Sequence, residues 1–160
     1  MIRKVELADA TDIAGIYNDY VENTTISFEI ELISVEDMCK RITEISSHYP
    51  YFVFESGGKV VGYCYVHAWK ERMAYCKTVE TTIYIAPGSK GLGIGERLMR
   101  RLIEECGRRG YHALVACITG GNVASMRLHE KLGFKQVSLF REVGWKFGEL
   151  LDVVDYELIL

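Results

Sequence analysis

The sequence lacks the features of membrane, secreted and multidomain proteins. It has two prolines among 160 residues and no proline-, glycine- or serine-rich stretch, so we predict a single domain over residues 1–160. No apolar run approaches the roughly 20 residues that span a bilayer. Residues 1–6 form no signal-peptide core. We therefore expect a cytoplasmic protein with no membrane partner.

An excess of positive charge and paired cysteine motifs are also missing. Lys and Arg number 19 against 22 Asp and Glu, which gives a formal net charge of −3. Nucleic-acid proteins usually carry a basic face, so we expect no nucleic-acid partner.

The five cysteines are an odd number without a Cys-x-x-Cys pair. This pattern predicts reduced, mostly buried thiols and argues against a disulfide framework or a bound metal.

Apolar periodicity predicts an alternation of strands and helices in the order βααβββαβαββ. We interpret Asp9 and Ser34 as N-caps of the first two helices. The second helix should run to about residue 46 with Val35, Met38 and Ile42 facing inward. The element order favours an α/β or α+β fold, with a mixed sheet and helices on both faces.

A glycine-rich turn lies between a predicted strand and a long helix that should begin near Gly91. Its sequence is Lys90-Gly91-Leu92-Gly93-Ile94-Gly95. Glycines let the backbone approach a ligand, and free N–H groups at a helix start favour a diphosphate. A tight turn without a ligand is the alternative. Glu96 after Gly95 rules out a Walker loop, and the glycine spacing does not fit a dinucleotide fingerprint.

This turn resembles the coenzyme A motif of the GNAT superfamily of N-acetyltransferases, and residues 125–134 resemble its second signature, which ends in Leu-Gly-Phe. Residues 69–75, 78–80, 128–130 and 144–148 are similar to phosphinothricin N-acetyltransferases and to relatives acting on methionine sulfoximine or sulfone. The resemblance implies a mostly antiparallel twisted sheet of about seven strands. It also implies acetyl-CoA as the acetyl donor, no metal, and a homodimer.

Two titratable residues match the family's reacting centre. Glu80 taken alone reads as a solvent-facing strand residue, but by resemblance it is the catalytic glutamate that removes the proton of the amine. His129 taken alone reads as a half-buried helix histidine. Near the sulfur of the coenzyme, it would either protonate the leaving thiolate or, when neutral, relay a proton from the amine. The sequence leaves both roles of His129 open.

The resemblance also implies coenzyme contacts outside the glycine turn. The strand Ile83-Tyr84-Ile85 would hold the pantetheine arm and supply a backbone N–H to the thioester oxygen. Asn122 and Ser125 match coenzyme contacts near the pantetheine. Capping of the following helix is a second interpretation of Asn122, and both can hold together.

The acceptor pocket is expected from two loops. By resemblance, Lys70, Arg72 and Tyr75 line it, and Arg72 would pair with an anionic oxygen of the acceptor. Phe28 resembles the pocket aromatic. The alternatives are a solvated polar loop and a core aromatic. We therefore expect acetyl transfer to a small amino-acid-like amine. The rival functions are acetylation of a protein N-terminus and a non-catalytic acetyl-CoA-binding module.

Overall fold

The computed structural model describes residues 1–160 and contains seven strands and four helices in the predicted order. The strands are β1 (Ile2–Lys4), β2 (Tyr51–Ser56), β3 (Lys59–Ala68), β4 (Thr78–Ile85), β5 (Ala113–Thr119), β6 (Lys135–Lys146) and β7 (Glu149–Ile159). The helices are α1 (Ala10–Asn23), α2 (Val35–His48), α3 (Ile94–Arg108) and α4 (Val123–Lys131).

All strands join one sheet in the order β1-β2-β3-β4-β5-β7-β6. Only β4 and β5 are parallel, and every other neighbouring pair is antiparallel. Two separate cores flank the sheet: α1 and α2 pack in one, and α3 packs in the other. The predicted mixed, mostly antiparallel sheet with helices on both faces is therefore confirmed.

The parallel pair β4–β5 is short and opens into a split. Residues 78–80 pair with residues 113–115, and no ladder continues beyond Glu80 and Val115 although both strands do. At this point the Thr81 hydroxyl donates to the Val115 carbonyl over 3.4 Å. Residues 81–84 of β4 and 116–119 of β5 line a cavity between the two strands. The backbone groups of β4 on this side are consequently free to meet a ligand.

The predicted helix starts are partly correct. Ser34 caps α2, since its hydroxyl oxygen accepts from the Asp37 N–H over 3.0 Å. Met38 is buried as predicted, but Val35 is exposed because it lies in the first turn, at the open end of the helix. Asp9 occupies the N-cap position of α1 without a capping bond. Its carboxylate instead accepts from Nη1 and Nη2 of Arg3, at 2.9 and 2.8 Å, and from the Glu6 N–H at 2.8 Å.

The prediction of mostly buried cysteines is wrong. Cys64 and Cys106 are buried, Cys39 is partly buried, and Cys76 and Cys117 are exposed. Cys117 is exposed because it lies on β5 beside the split, where its side chain faces a cavity.

Two further groups of features are absent from the structure. None of the four helices has the length and apolar character needed to cross a membrane. No cluster of three or more His, Cys, Asp or Glu side chains has an arrangement suited to a metal ion.

Candidate active site

The glycine turn forms the start of α3. Gly91 and Gly93 have φ angles of 77° and 73°, in the left-handed region that favours glycine. Gly93 is the N-cap, so the helix begins at Ile94 rather than near Gly91 as predicted. The first backbone bond of the helix runs from the Arg97 N–H to the Gly93 carbonyl. The N–H groups of residues 94–96 therefore have no partner inside the helix and face outward at its start.

A cleft of about 450 Å³ lies between this turn, the end of β4 and the start of α4. Lys90 lies at its wall, with its Nζ 4.7 Å from the centre of the Tyr20 ring. The predicted coenzyme residues that line the cleft are Ile83, Ile85, Lys90, Gly91, Gly93, Ile94, Gly95, Asn122 and Ser125. Tyr84 and Leu92 do not line it, because Tyr84 faces the α1 side of the sheet and Leu92 is exposed.

The register of β3 and β4 decides which backbone groups face the cleft. The Ala86 N–H donates to the Val61 carbonyl, so by alternation the backbone groups of Tyr84 also point toward β3. The Ile85 carbonyl points the other way, where it accepts the Tyr20 hydroxyl over 2.7 Å. The N–H groups of Ile83 and Ile85 therefore face the split.

Glu80 lies at the closed end of the split, and its side chain is 25% exposed. Burial raises the pKa of its carboxyl above the ordinary value; a charged His67 and the Cys117 thiol lower the pKa, and the carboxylate of Asp155 raises it. Its Oε1 lies 3.8 Å from the Nε2 of His67. The result is a carboxylate with more basicity than an exposed glutamate has.

His129 lines the same cavity of about 140 Å³ as Glu80 but belongs to α4, beyond the other face of the sheet. Its Nδ1 lies 2.8 Å from the Ser125 carbonyl, which can only accept, so Nδ1 carries the hydrogen. The residue is 2% exposed, and its Nε2 has no hydrogen-bond partner within the protein. Burial lowers the pKa of the imidazole. His129 is thus neutral near pH 7, with an unpaired lone pair on Nε2.

Asn122 and Ser125 serve the start of α4. The Asn122 side-chain oxygen accepts from the Ser125 N–H over 3.3 Å, so the capping interpretation is confirmed. Both residues also line the glycine cleft and the cavity that holds Glu80 and His129. The two spaces therefore share a wall and lie side by side.

The residues predicted for the acceptor side are only partly brought together. Phe28 and Glu80 line a further cavity of about 450 Å³. The Phe28 ring packs on the backbone of Gly144, and a Cβ added to Gly144 would lie 2.7 Å from the ring atoms. Neither cavity that Glu80 lines includes a Lys or Arg side chain. Lys70 instead stacks over the Trp69 ring at 4.3 Å. Lys70, Arg72 and Tyr75 lie on the β3–β4 loop, outside both cavities.

The fold and this geometry agree with the comparisons. The family model described as "Acetyltransferase (GNAT) domain" matches residues 2–154. The chain belongs to the GNAT acetyltransferase family.

Two relatives named as acetyltransferases are similar to this chain over most of their length. The chain is 34% identical to a phosphinothricin N-acetyltransferase of Streptomyces viridochromogenes, over 95% of this chain and 83% of that protein. It is 35% identical to an L-methionine sulfoximine/L-methionine sulfone acetyltransferase of Salmonella typhimurium, over 99% and 94%. This chain is accordingly an N-acetyltransferase.

A solved GNAT structure shows the same fold over the whole chain. It is the phosphinothricin acetyltransferase of Sinorhizobium meliloti in complex with acetyl-CoA, which is 34% identical. The TM-score is 0.96, and the match covers 100% of this chain and 88% of that one.

Sequence reasoning missed two side chains of this GNAT site. His67 and Cys117 both lie beside Glu80, and Cys117 lines both cavities that Glu80 lines. Neither residue falls in a family motif, but the pairing of β3 with β4 could have revealed His67. His67 is directly opposite Glu80 in the β3–β4 ladder, so aligning the two predicted strands would have brought the pair together.

Proposed function

We propose that this protein transfers the acetyl group of acetyl-CoA to the amine of a small amino-acid-like acceptor, of the phosphinothricin, methionine sulfoximine or methionine sulfone type. One observation carries the proposal. Glu80 and the unpaired Nε2 of His129 meet in one cavity at the β4–β5 split, and that cavity lies against the glycine cleft. A base, a second proton-handling group and an anion site are thereby adjacent.

The glycine cleft suits the coenzyme. The free N–H groups at the start of α3 and the positive end of its dipole favour a diphosphate, and Lys90 adds a positive charge at the wall. Gly91 and Gly93 carry no Cβ that would keep the ligand from the backbone. Acetyl-CoA, when bound, supplies the acetyl group as an activated thioester.

Glu80 acts as the base. An amino-acid amine is largely protonated near pH 7, and it must lose a proton before it can attack. The raised pKa of Glu80 makes its carboxylate a better proton acceptor than an ordinary glutamate. Cys117 and Phe28 line the cavity from which the acceptor amine would approach this carboxylate.

The other face of the split supplies the remaining groups. The N–H groups of Ile83 and Ile85 point into it and would stabilise negative charge on the thioester oxygen. His129 presents a lone pair rather than a hydrogen, since Nδ1–H is held by the Ser125 carbonyl. This tautomer favours the relay over direct donation, because His129 must accept a proton before it can give one.

The test is release of free coenzyme A from acetyl-CoA over a panel of acceptors, with product identification by mass spectrometry. The panel contains phosphinothricin, methionine sulfoximine, methionine sulfone, ordinary amino acids and peptides with a free N-terminus. We expect turnover of at least one amino-acid-like acceptor. Turnover confined to the peptides would instead indicate a protein N-terminal acetyltransferase. Binding of acetyl-CoA with no turnover of any amine would indicate a binding module.

A further inference from the structure

His67 and Glu80 form a cross-strand pair on the acceptor face of the sheet. They are directly opposite in the antiparallel β3–β4 ladder, so both side chains project from the same face. His67 Nε2 and Glu80 Oε1 are 3.8 Å apart. The His67 side chain is 38% exposed and that of Glu80 is 25% exposed. His67 is therefore the more exposed member of the pair.

The backbone fixes the orientation of the His67 ring. Its Nδ1 lies 2.9 Å from the Ala68 carbonyl oxygen. Because a carbonyl only accepts, Nδ1 carries the hydrogen in the neutral ring, and Nε2 has the lone pair. That lone pair is on the nitrogen nearest to Glu80, the position from which it can take a proton from a protonated Glu80 carboxyl.

No other neighbour of this pair is as good a proton acceptor near neutral pH. Tyr65 lies beside His67 on β3, with ring centres 6.1 Å apart, and burial raises its pKa. The pKa of the Cys117 thiol on β5 is also raised, by partial desolvation at the split and by the neighbouring carboxylates of Glu80 and Asp155. Asp155, opposite Cys117 on β7, lies three strands away from the strand of His67 in the sheet. Glu29, before α2, also lines the Glu80 cavity and is paired with Arg41 of α2 at 3.0 Å.

We propose that His67 conducts the proton of the acceptor amine from Glu80 to solvent, a role that rests on the proposed function. The Glu80 carboxylate takes a proton from the acceptor ammonium, which leaves a neutral amine and a neutral carboxyl. The carboxyl passes the proton to the Nε2 lone pair of His67, directly or through one water. This step restores the carboxylate and forms an imidazolium, which then loses a proton to water or buffer.

His67 acts through Glu80 in this scheme, so it is a positioning residue rather than a catalytic one. While it is an imidazolium it also favours the ionised form of Glu80 and so lowers the pKa of that carboxyl. Loss of His67 therefore has a signature that a loss of packing lacks. Glu80 should hold its proton up to a higher pH, and the acidic limb of the rate profile should move upward.

The kinetic test compares His67→Gln with His48→Gln, a change at an exposed histidine on α2, remote from Glu80. We expect His67→Gln to lower kcat about tenfold, less than loss of the base itself, and to shift the acidic limb of kcat/KM to higher pH, with an unchanged KM for acetyl-CoA. Added imidazole should restore part of kcat in His67→Ala and have no effect on wild type. An unchanged kcat and pH profile in His67→Gln would overturn the relay.

A second measurement does not depend on turnover. The titration of the His67 ring is followed by NMR in wild type and in Glu80→Gln. We expect the chemical-shift titration of the ring to differ between the two proteins, because the substitution removes the carboxylate 3.8 Å from Nε2. An unchanged titration would show that the two groups are not coupled and would overturn the relay. A wild-type protein that acetylates no amine would overturn the proposed function instead, and it would do so without any substitution.

Discussion

At the scale of residues, the chemistry of the site depends on how far Glu80 is removed from water. Partial burial raises the pKa of its carboxyl, while the neighbouring His67 and Cys117 lower it. The effect of burial is the largest, so the net shift of the pKa is upward. A raised pKa in a base means that activity is present above that pKa and is lost as the pH falls through it. The acidic limb of the kcat/KM profile should therefore lie above the range of an exposed glutamate.

Glu80→Gln keeps the shape of the side chain and removes its basicity. We expect kcat to fall roughly 10²- to 10⁴-fold, with the acidic limb lost or displaced and calorimetric binding of acetyl-CoA unchanged. Glu31→Gln, at an exposed position before α2, is the matched control and should behave as wild type. Full kcat with an unaltered profile in Glu80→Gln would mean that His129 or bulk water is the base.

Single residues differ in how far the sequence reveals them. Glu80 and His129 are found because each lies in a local stretch that resembles a family motif. His67 and Cys117 meet Glu80 only through strand pairing and through the split, which are long-range features. The burial of His129 and its unpaired Nε2 likewise depend on packing against Phe134, with ring centres 5.0 Å apart. No local pattern encodes such contacts.

At the scale of elements, α3 shows what periodicity predicts well and what it does not. The apolar stripe correctly identifies Leu98, Leu102 and Cys106 as the buried face. The start is displaced from Gly91 to Ile94 because two glycines adopt left-handed conformations before the helix. The pattern of apolar residues does not reveal whether a glycine adopts a positive φ angle. The displacement matters, since it decides which N–H groups are free to meet a diphosphate.

Gly93→Val tests this element, and the structure supplies its control. Valine is strained at a φ of 73°, so a loss of affinity alone would not separate strain from a blocked cleft. Gly58, in the β2–β3 turn, has a φ of 75°, and as at Gly93 a Cβ added there would meet no atom within 4 Å. Gly58→Val should lose similar stability, of order 1–3 kcal/mol, and keep acetyl-CoA affinity. Calorimetry of the folded variants should show a large loss for Gly93→Val alone. Equal acetyl-CoA affinities of the two variants would show that the coenzyme does not bind at this turn.

At the scale of the whole molecule, the site exists because the β4–β5 ladder ends at Glu80 and Val115 while both strands continue. The spatial order of the strands lies beyond the prediction; the mixed sheet and the helices on both faces follow from the order of elements along the chain. The end of the β4–β5 ladder at Glu80 does not, since both strands read as ordinary apolar strands. Separation of the strands lets a group on the α1 side, Glu80, share a cavity with His129 from the opposite side. Acetyl donor and acceptor can thus approach from opposite faces.

The same assembly leaves no uncommitted cation at the acceptor cavity: Arg41 and Lys146 lie beside it, but Arg41 is paired with Glu29 and Lys146 donates to the Ser27 carbonyl. No Lys or Arg lines either cavity that Glu80 lines, whereas an amino-acid acceptor carries a carboxylate. Arg72 is exposed on the β3–β4 loop and has no ion-pair partner among the salt bridges of the chain. We therefore predict that Arg72 binds the carboxylate of the acceptor. Arg72→Ala should raise the acceptor KM about ten- to a hundredfold, as expected for loss of a charged hydrogen bond. The KM for acetyl-CoA should not move, and Arg141→Ala, on β6, should leave both constants unchanged. A rise in the acetyl-CoA KM alone would assign Arg72 to the donor side and leave the acceptor carboxylate to another cation.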